Sequence, residues 1–250
     1  MKTIHLLALA CTMSVSLAQA HQPWLLTEPK AAETPAAARV SVYFGHVFPD
    51  DTLIDPERIA AVALVSPTGA VEALESQAVV PFDSPVLDQP GTWAIGIEQA
   101  RGYWSRTPDG GRPLPRSALD EVVTCNYSGN SAKTLVRVGD DPASSAAVPI
   151  GHRLEILTAS DPTRMGAGDV LGVEVRFDGS AHSGPLLAFH AGSGEEPYRT
   201  VETDAGGRAE IELVGDGPWM LVARAELPYP DPEVCDTEGF HASLTFHGQR

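Results

Sequence analysis

Arg39-Val40-Ser41-Val42-Tyr43-Phe44 is the stretch that decides the fold. Apolar and polar side chains alternate there with period two, and Gly45 ends the run. That alternation is the mark of a half-buried strand, because successive side chains on a pleated backbone point to opposite faces. Runs of the same kind recur on both sides. Ala60–Ser66, Ala70–Leu74, Gly91–Ile97 and Ala132–Val138 read as strands in the first half. Arg153–Leu157, Val170–Phe177, Leu186–His190, Tyr198–Thr203, Arg208–Val214, Trp219–Ala225 and Ala242–Phe246 follow in the second. Between them lie Pro67-Thr68-Gly69, Asp178-Gly179, Gly192–Gly194, Asp204–Gly207 and Asp216-Gly217-Pro218, which supply turn chemistry and positive φ. No segment carries a sustained helical stripe, and Pro115–Glu121 offers one turn or so. The expected class is therefore all-β, two immunoglobulin-like β-sandwich domains over residues 21–140 and 150–248. Gly139–Gly151, with Asp140-Asp141-Pro142 and small residues, is the expected linker.

The ends of the chain bear on where it works. Met1–Ala20 has Lys2 near its start, an apolar stretch Ile4–Met13, and Ala18-Gln19-Ala20 before His21. This reads as a secretory signal peptide, residues 1–20, cleaved between Ala20 and His21. A lipoprotein signal acylated at Cys11 is the rival reading. The expected location is periplasmic or secreted. Removing that segment leaves two cysteines, Cys125 and Cys235, which an oxidising compartment favours as a disulfide. Two free buried thiols are the alternative.

Composition excludes some partners. With 17 Lys+Arg against 33 Asp+Glu, the chain has a formal charge of -16. A nucleic-acid binder needs a basic face to displace counterions, so none is expected. Docking on anionic lipid is disfavoured for the same reason, and no later run approaches a membrane helix, so no direct insertion is expected. G-x-S-x-G, Walker, H-E-x-x-H and Cys-x-x-Cys patterns are missing from the sequence, so nothing points to an enzyme.

The candidate chemistry lies at the processed N-terminus. Cleavage after Ala20 would leave His21 with a free α-amine, and an amine together with ring Nδ1 can chelate one transition metal. Imidazole and amine nitrogen suit nickel, cobalt, copper and zinc. His46 is the second candidate ligand, placed at a strand end in Gly45-His46-Val47-Phe48-Pro49-Asp50-Asp51. If Trp24–Thr27 pairs with Arg39–Phe44, the two imidazoles meet. Asp50, Asp51 and Asp55 supply nearby carboxylates, and Asp51 is taken as the third donor. His190 and His241 are further donors only if the two halves fold toward each other. His152, His182 and His247 are expected to be exposed. Trp24, Trp93 and Trp219 read as core, whereas Tyr103-Trp104 reads as an exposed loop suited to stacking.

Several short segments, in order, resemble a known group. They are His21-Gln22-Pro23-Trp24-Leu25, Gly45-His46-Val47-Phe48, Ala132–Val136, Leu154-Glu155-Ile156 with Asp161-Pro162, Gly168-Asp169, Thr203–Gly207, Gly217-Pro218-Trp219 and Ala242–Phe246. The chain resembles the periplasmic family of unknown-function domains grouped with NikM-like nickel and cobalt uptake components. That resemblance implies a secreted, two-part β protein that binds a transition metal, nickel or cobalt, as an accessory to its uptake by a membrane metal transporter. Members often carry a second His shortly after the one matching His46; here Asp50-Asp51 stand in that place, which leaves the ligand set open. Two other functions remain beside this one: a non-catalytic secreted interaction or scaffold module, and a copper-dependent oxidative enzyme with a histidine brace.

Overall fold

The computed structural model describes residues 21–75 and 78–249. The expected signal peptide, Met1–Ala20, lies outside them. The first half holds β1 (Gln22–Glu28), β2 (Ala31–Ala32), β3 (Arg39–Gly45), β4 (Ile59–Val65), β5 (Val71–Leu74), β6 (Phe82–Asp83), β7 (Gly91–Gln99), β8 (Gly102–Thr107), β9 (Gly110–Arg112) and β10 (Thr124–Val138). The second holds β11 (Leu154–Thr158), β12 (Val170–Phe177), β13 (Ser180–Ala181), β14 (Pro185–His190), β15 (Arg199–Glu202), β16 (Arg208–Glu212), β17 (Pro218–Pro228) and β18 (Thr237–His247). Among the described residues helix is confined to three short 3-10 turns, and the fold is all-β.

Each half is a sandwich because each strand set has one apolar face to bury. In the first, β1-β3-β6 covers β10-β7-β4-β5, and Leu25, Val40, Val42 and Phe82 meet Val62, Trp93, Ile95 and Val136. In the second, the sheet of β11, β12, β13 and β16 covers β14, β17 and β18 through Leu154, Leu171, Val173 and Ile211 against Trp219, Leu221, Leu244 and Phe246. The period-two reading succeeds where one face is solvated. β7 departs from it: seven consecutive residues, Gly91–Ile97, are buried, as expected of a strand covered on both faces.

The two halves share one sheet. β10 pairs in parallel with β18, from Asn126 opposite Thr237 to Thr134 opposite Thr245, which joins both halves into an 11-stranded sheet. The 139–151 segment is packed rather than free. Ser144 bridges Thr92, Ser145 and Ala146 are buried, and Gly91 (φ 128°) brings its backbone so close to Ala143 that a Cβ would lie 2.6 Å from the Ala143 carbonyl oxygen. Across this junction the Lys133 ammonium meets the Glu155 carboxylate at 2.8 Å, both buried, and Ile150 N–H donates to the same carboxylate at 2.7 Å. The Cys125–Cys235 disulfide ties the start of β10 to the approach to β18.

β1 lies over the seam. Ser243 Oγ donates to the Pro23 carbonyl at 2.7 Å, and Thr245 Oγ1 donates to the Leu25 carbonyl. Trp24, fully buried, packs with Phe48 on Leu187, Phe189, Met220 and Val222 of the second half. The first strand therefore belongs to the packing of both halves.

One reading is corrected. Gly102–Thr107 is a strand, β8, paired antiparallel with β9 and with the start of β10. Trp104 is nonetheless exposed, at 56%, and lies over Gly111, whose missing side chain makes room for the indole.

Candidate metal centre

The antiparallel register of β1 and β3 sets Gln22 opposite Gly45, so the residues just beyond each, His21 and His46, share one corner of the sheet. Their ring centroids stand 3.9 Å apart at 57°. His21 also stacks on Phe44, 5.4 Å between centroids and 21° between planes. The Arg58 guanidinium lies 4.0 Å from the centre of the same Phe44 ring. Partial burial, then the neighbouring His46, lower the His21 pKa; Arg58 adds to this and Asp51 opposes it. The neutral imidazole is thereby favoured, and that is the form with a lone pair to offer.

Asp51 sits beside this corner but faces the backbone. Its Oδ2 accepts from His46 N–H at 2.8 Å and Val47 N–H at 2.9 Å, and its Oδ1 accepts from Thr52 N–H at 2.7 Å. Burial pulls this carboxyl upward, and the amides of Val47, Thr52 and His46 outweigh it, so the pKa is lowered overall. Gly45 is required here, since a Cβ on it would fall 2.1 Å from Asp51 Oδ2. The loop is thus a turn clasped around one carboxylate, and the clasp fixes where His46 stands. Pro49 completes it by accepting from Trp24 Nε1 at 2.9 Å, which anchors the loop to the buried end of β1.

Among the described residues no group of three or more His, Cys, Asp and Glu side chains is close enough to hold an ion. The structure brings together His21 and His46; Asp51 is adjacent, with three amide hydrogen bonds on its carboxylate. Asp55 caps a 3-10 turn by accepting from Glu57 N–H at 3.0 Å. The other histidines are elsewhere. His190 Nε2 bonds the Asp216 carbonyl oxygen at 2.6 Å, and its ring lies 4.6 Å from Trp219. His182 Nε2 bonds the Arg224 carbonyl oxygen at 3.0 Å. His152, His182 and His247 are half-buried, which corrects their expected exposure. Burial lowers the His152, His241 and His247 pKa values to about 4. What sequence reasoning missed at the corner is Phe44 and Arg58. Phe44 was readable as part of the strand, but nothing local marks Arg58 as its partner.

The chain belongs to the family described as domain of unknown function DUF4198, whose model matches residues 18–227. No curated protein matches it. Among solved structures it is similar to the D0-D1 domain of Intimin, at 13% identity over 89% of this chain and 96% of that one, with a TM-score of 0.23. It is similar to the fibronectin(III)-like modules of Clostridium thermocellum CbhA at 10% identity, over 88% of this chain and 93% of that one, with a TM-score of 0.20. Salmonella alpha-2-macroglobulin reacted with methylamine shares 12% identity over 90% of this chain and 15% of its own length, with a TM-score of 0.25. At these scores the likenesses bear on no function. Among the described residues no helix is long and apolar enough to cross a membrane.

Proposed function

We propose that this DUF4198 chain is an exported, periplasmic or secreted transition-metal-binding protein, an accessory to nickel or cobalt uptake that passes its ion to a membrane transporter. The observation that carries the reading is the 3.9 Å approach of the His21 and His46 rings at the very start of β1. Cleavage between Ala20 and His21 would add the His21 α-amine, and amine plus two imidazoles make three nitrogen donors at one corner. Nitrogen donors of this kind suit nickel, cobalt, copper and zinc better than calcium or magnesium, which favour oxygen. Asp51 supports the site by holding the His46 and Val47 amides. Because the amine is protonated at neutral pH, binding releases protons and strengthens as pH rises through about 8.

The test is metal titration of protein whose N-terminus is verified as His21, against a form with one extra residue ahead of it. The extension removes the amine chelate while leaving every side chain. A loss of at least about tenfold in nickel affinity is expected, on the scale of one charged or strongly polar contact. His46→Ala is expected to cost as much or more. Unchanged affinity in both would refute the reading.

A further inference from the structure

Beyond the end of β1 opposite to His21, residues of both halves line a cleft of about 870 Å³. Its first wall grows out of β10. Lys133, Leu135 and Arg137 alternate onto one face of that strand. Lys133 reaches Glu155 of the second half and Leu135 joins the second core, so Arg137, next on that face, emerges half-buried at the cleft. Ala31 of β2 pairs with Arg137, which brings Lys30 alongside, and Asp140 follows just past the end of β10. The facing wall belongs to the second half. The turn before β17, with Gly217 at φ 109°, contributes Asp216, and the end of β18 contributes His247, paired with Pro218.

Two cations and two carboxylates thus line one cleft without pairing. Among the described residues the side chains of Lys30, Arg137, Asp140 and Asp216 make no hydrogen bond or ion pair, with each other or with anything else. His247 is uncharged at neutral pH, since burial first and then the neighbouring Lys30 lower its pKa to about 4. The lining is therefore neutral as a whole, built from opposite charges held apart. Arg137 shows the clearest deficit, because its guanidinium is partly withdrawn from water with none of its N–H groups accepted. A simple anion entering here would meet Asp140 and Asp216 in a chain of formal charge -16. A simple cation would meet Lys30 and Arg137. A molecule that carries both charges satisfies both sets.

We propose that this cleft binds a small zwitterion, an amino acid or short peptide with free termini, its carboxylate held by Lys30 and Arg137 and its ammonium by Asp140 and Asp216. The planar fork of Arg137 can give a carboxylate two parallel N–H bonds, and Lys30 adds a point charge beside it. An ammonium needs three acceptors, and two carboxylates supply four oxygens. The ligand has no net charge, so the acidic remainder of the surface neither draws it nor repels it. The volume falls within the roughly 300–1,000 Å³ of small-molecule sites. The cleft shares no residue with the His21–His46 corner, so this inference stands or falls apart from the metal reading.

Glycine and triglycine serve as probes, titrated by calorimetry into the full processed chain after a chelating resin has removed metal, because triglycine itself chelates metal ions. Tighter binding of triglycine assigns the cleft to short peptides and tighter binding of glycine to amino acids; either upholds the inference. N-acetyl-triglycine lacks the ammonium and triglycinamide lacks the carboxylate, and each is expected to bind at least about tenfold more weakly than triglycine, the scale of one charged hydrogen-bonded contact. Arg137→Gln is expected to cost triglycine about tenfold while leaving triglycinamide, which has no carboxylate to lose, within about twofold. Asp216→Asn is expected to do the converse, weakening triglycine and sparing N-acetyl-triglycine. Misfolding would weaken every probe alike, so these pairings separate a lost contact from a lost fold. No binding heat from either probe at about 10 mM would overturn the inference, as would capped forms that bind as tightly as triglycine. Sodium acetate bound as tightly as triglycine would overturn it too, since the cleft would then be an anion site.

Discussion

Replacing Asp51 separates a clasp from a ligand. Its carboxylate receives three backbone N–H groups at 2.7 to 2.9 Å. In a fully buried site each such charge-assisted bond contributes about 1.5–3 kcal/mol. Asp51 is half-buried, and the freed amides of His46, Val47 and Thr52 partly regain water, so about 0.5–1 kcal/mol each is the better scale. Asp51→Ala is then expected to cost ~2 kcal/mol, which for a chain of this size lowers the thermal midpoint by about 4–8 °C. Asp51→Asn keeps one acceptor oxygen and is expected to cost about half as much. The pH dependence has a definite sign. Folding lowers the Asp51 pKa, so its contribution is complete above the unfolded value of about 3.9 and disappears as pH falls through the lower folded value. The gap between the unaltered protein and Asp51→Ala should be flat from about pH 5 to 7 and close below about pH 4. Thermal unfolding followed by circular dichroism measures it, with nickel titration on the same samples. An unchanged midpoint together with a loss of nickel affinity beyond about thirtyfold would refute the clasp and make Asp51 a ligand.

Other outcomes follow from features of the fold. Reducing the Cys125–Cys235 bond, which spans 110 residues, should lower stability by about 4 kcal/mol, read as a drop in the urea midpoint with and without reductant. Trp24→Ala removes a fully buried indole and its bond to Pro49, at a cost of about 3–5 kcal/mol; retention of the native midpoint would contradict the packing of β1 on the second half. Acidification from pH 6.5 to 4 should destabilise the protein before most carboxylates titrate. His152, His241 and His247 resist protonation down to about 4 when folded, so the unfolded chain binds more protons in that window and stability rises with pH across it. A His152→Gln, His241→Gln double variant should flatten that slope in denaturant titrations at a series of pH values.

Much of the fold was legible because period two and turn chemistry are local. β3, β4, β5, β7 and β12 match their expected runs to within a residue or two at each end. The parallel union of β10 with β18 was not legible, since the pairing joins Asn126 to Thr237 across more than a hundred residues, with no short-range signature. β8 was read as a loop because Gly102 and the Pro-rich stretch after Arg112 dominate its composition; pairing with β10 overrode them. At the candidate site, the meeting of His21 and His46 follows from one strand pairing between neighbours in the chain, so a sequence could suggest it. The role of Asp51 does not follow, because an acidic loop residue has the same spacing whether it faces an ion or the amides of His46 and Val47.

The seam between the halves has a consequence for biogenesis. A chain emerging in N-to-C order presents β10 with one flank unfilled, and the carbonyls of Pro23 and Leu25 without their hydroxyl donors, until Ser243 and Thr245 arrive on the last strand. Completion of the structure is therefore a closing stitch made by the carboxyl end. Truncations that stop short of that strand should leave an adhesive intermediate, not a smaller working unit.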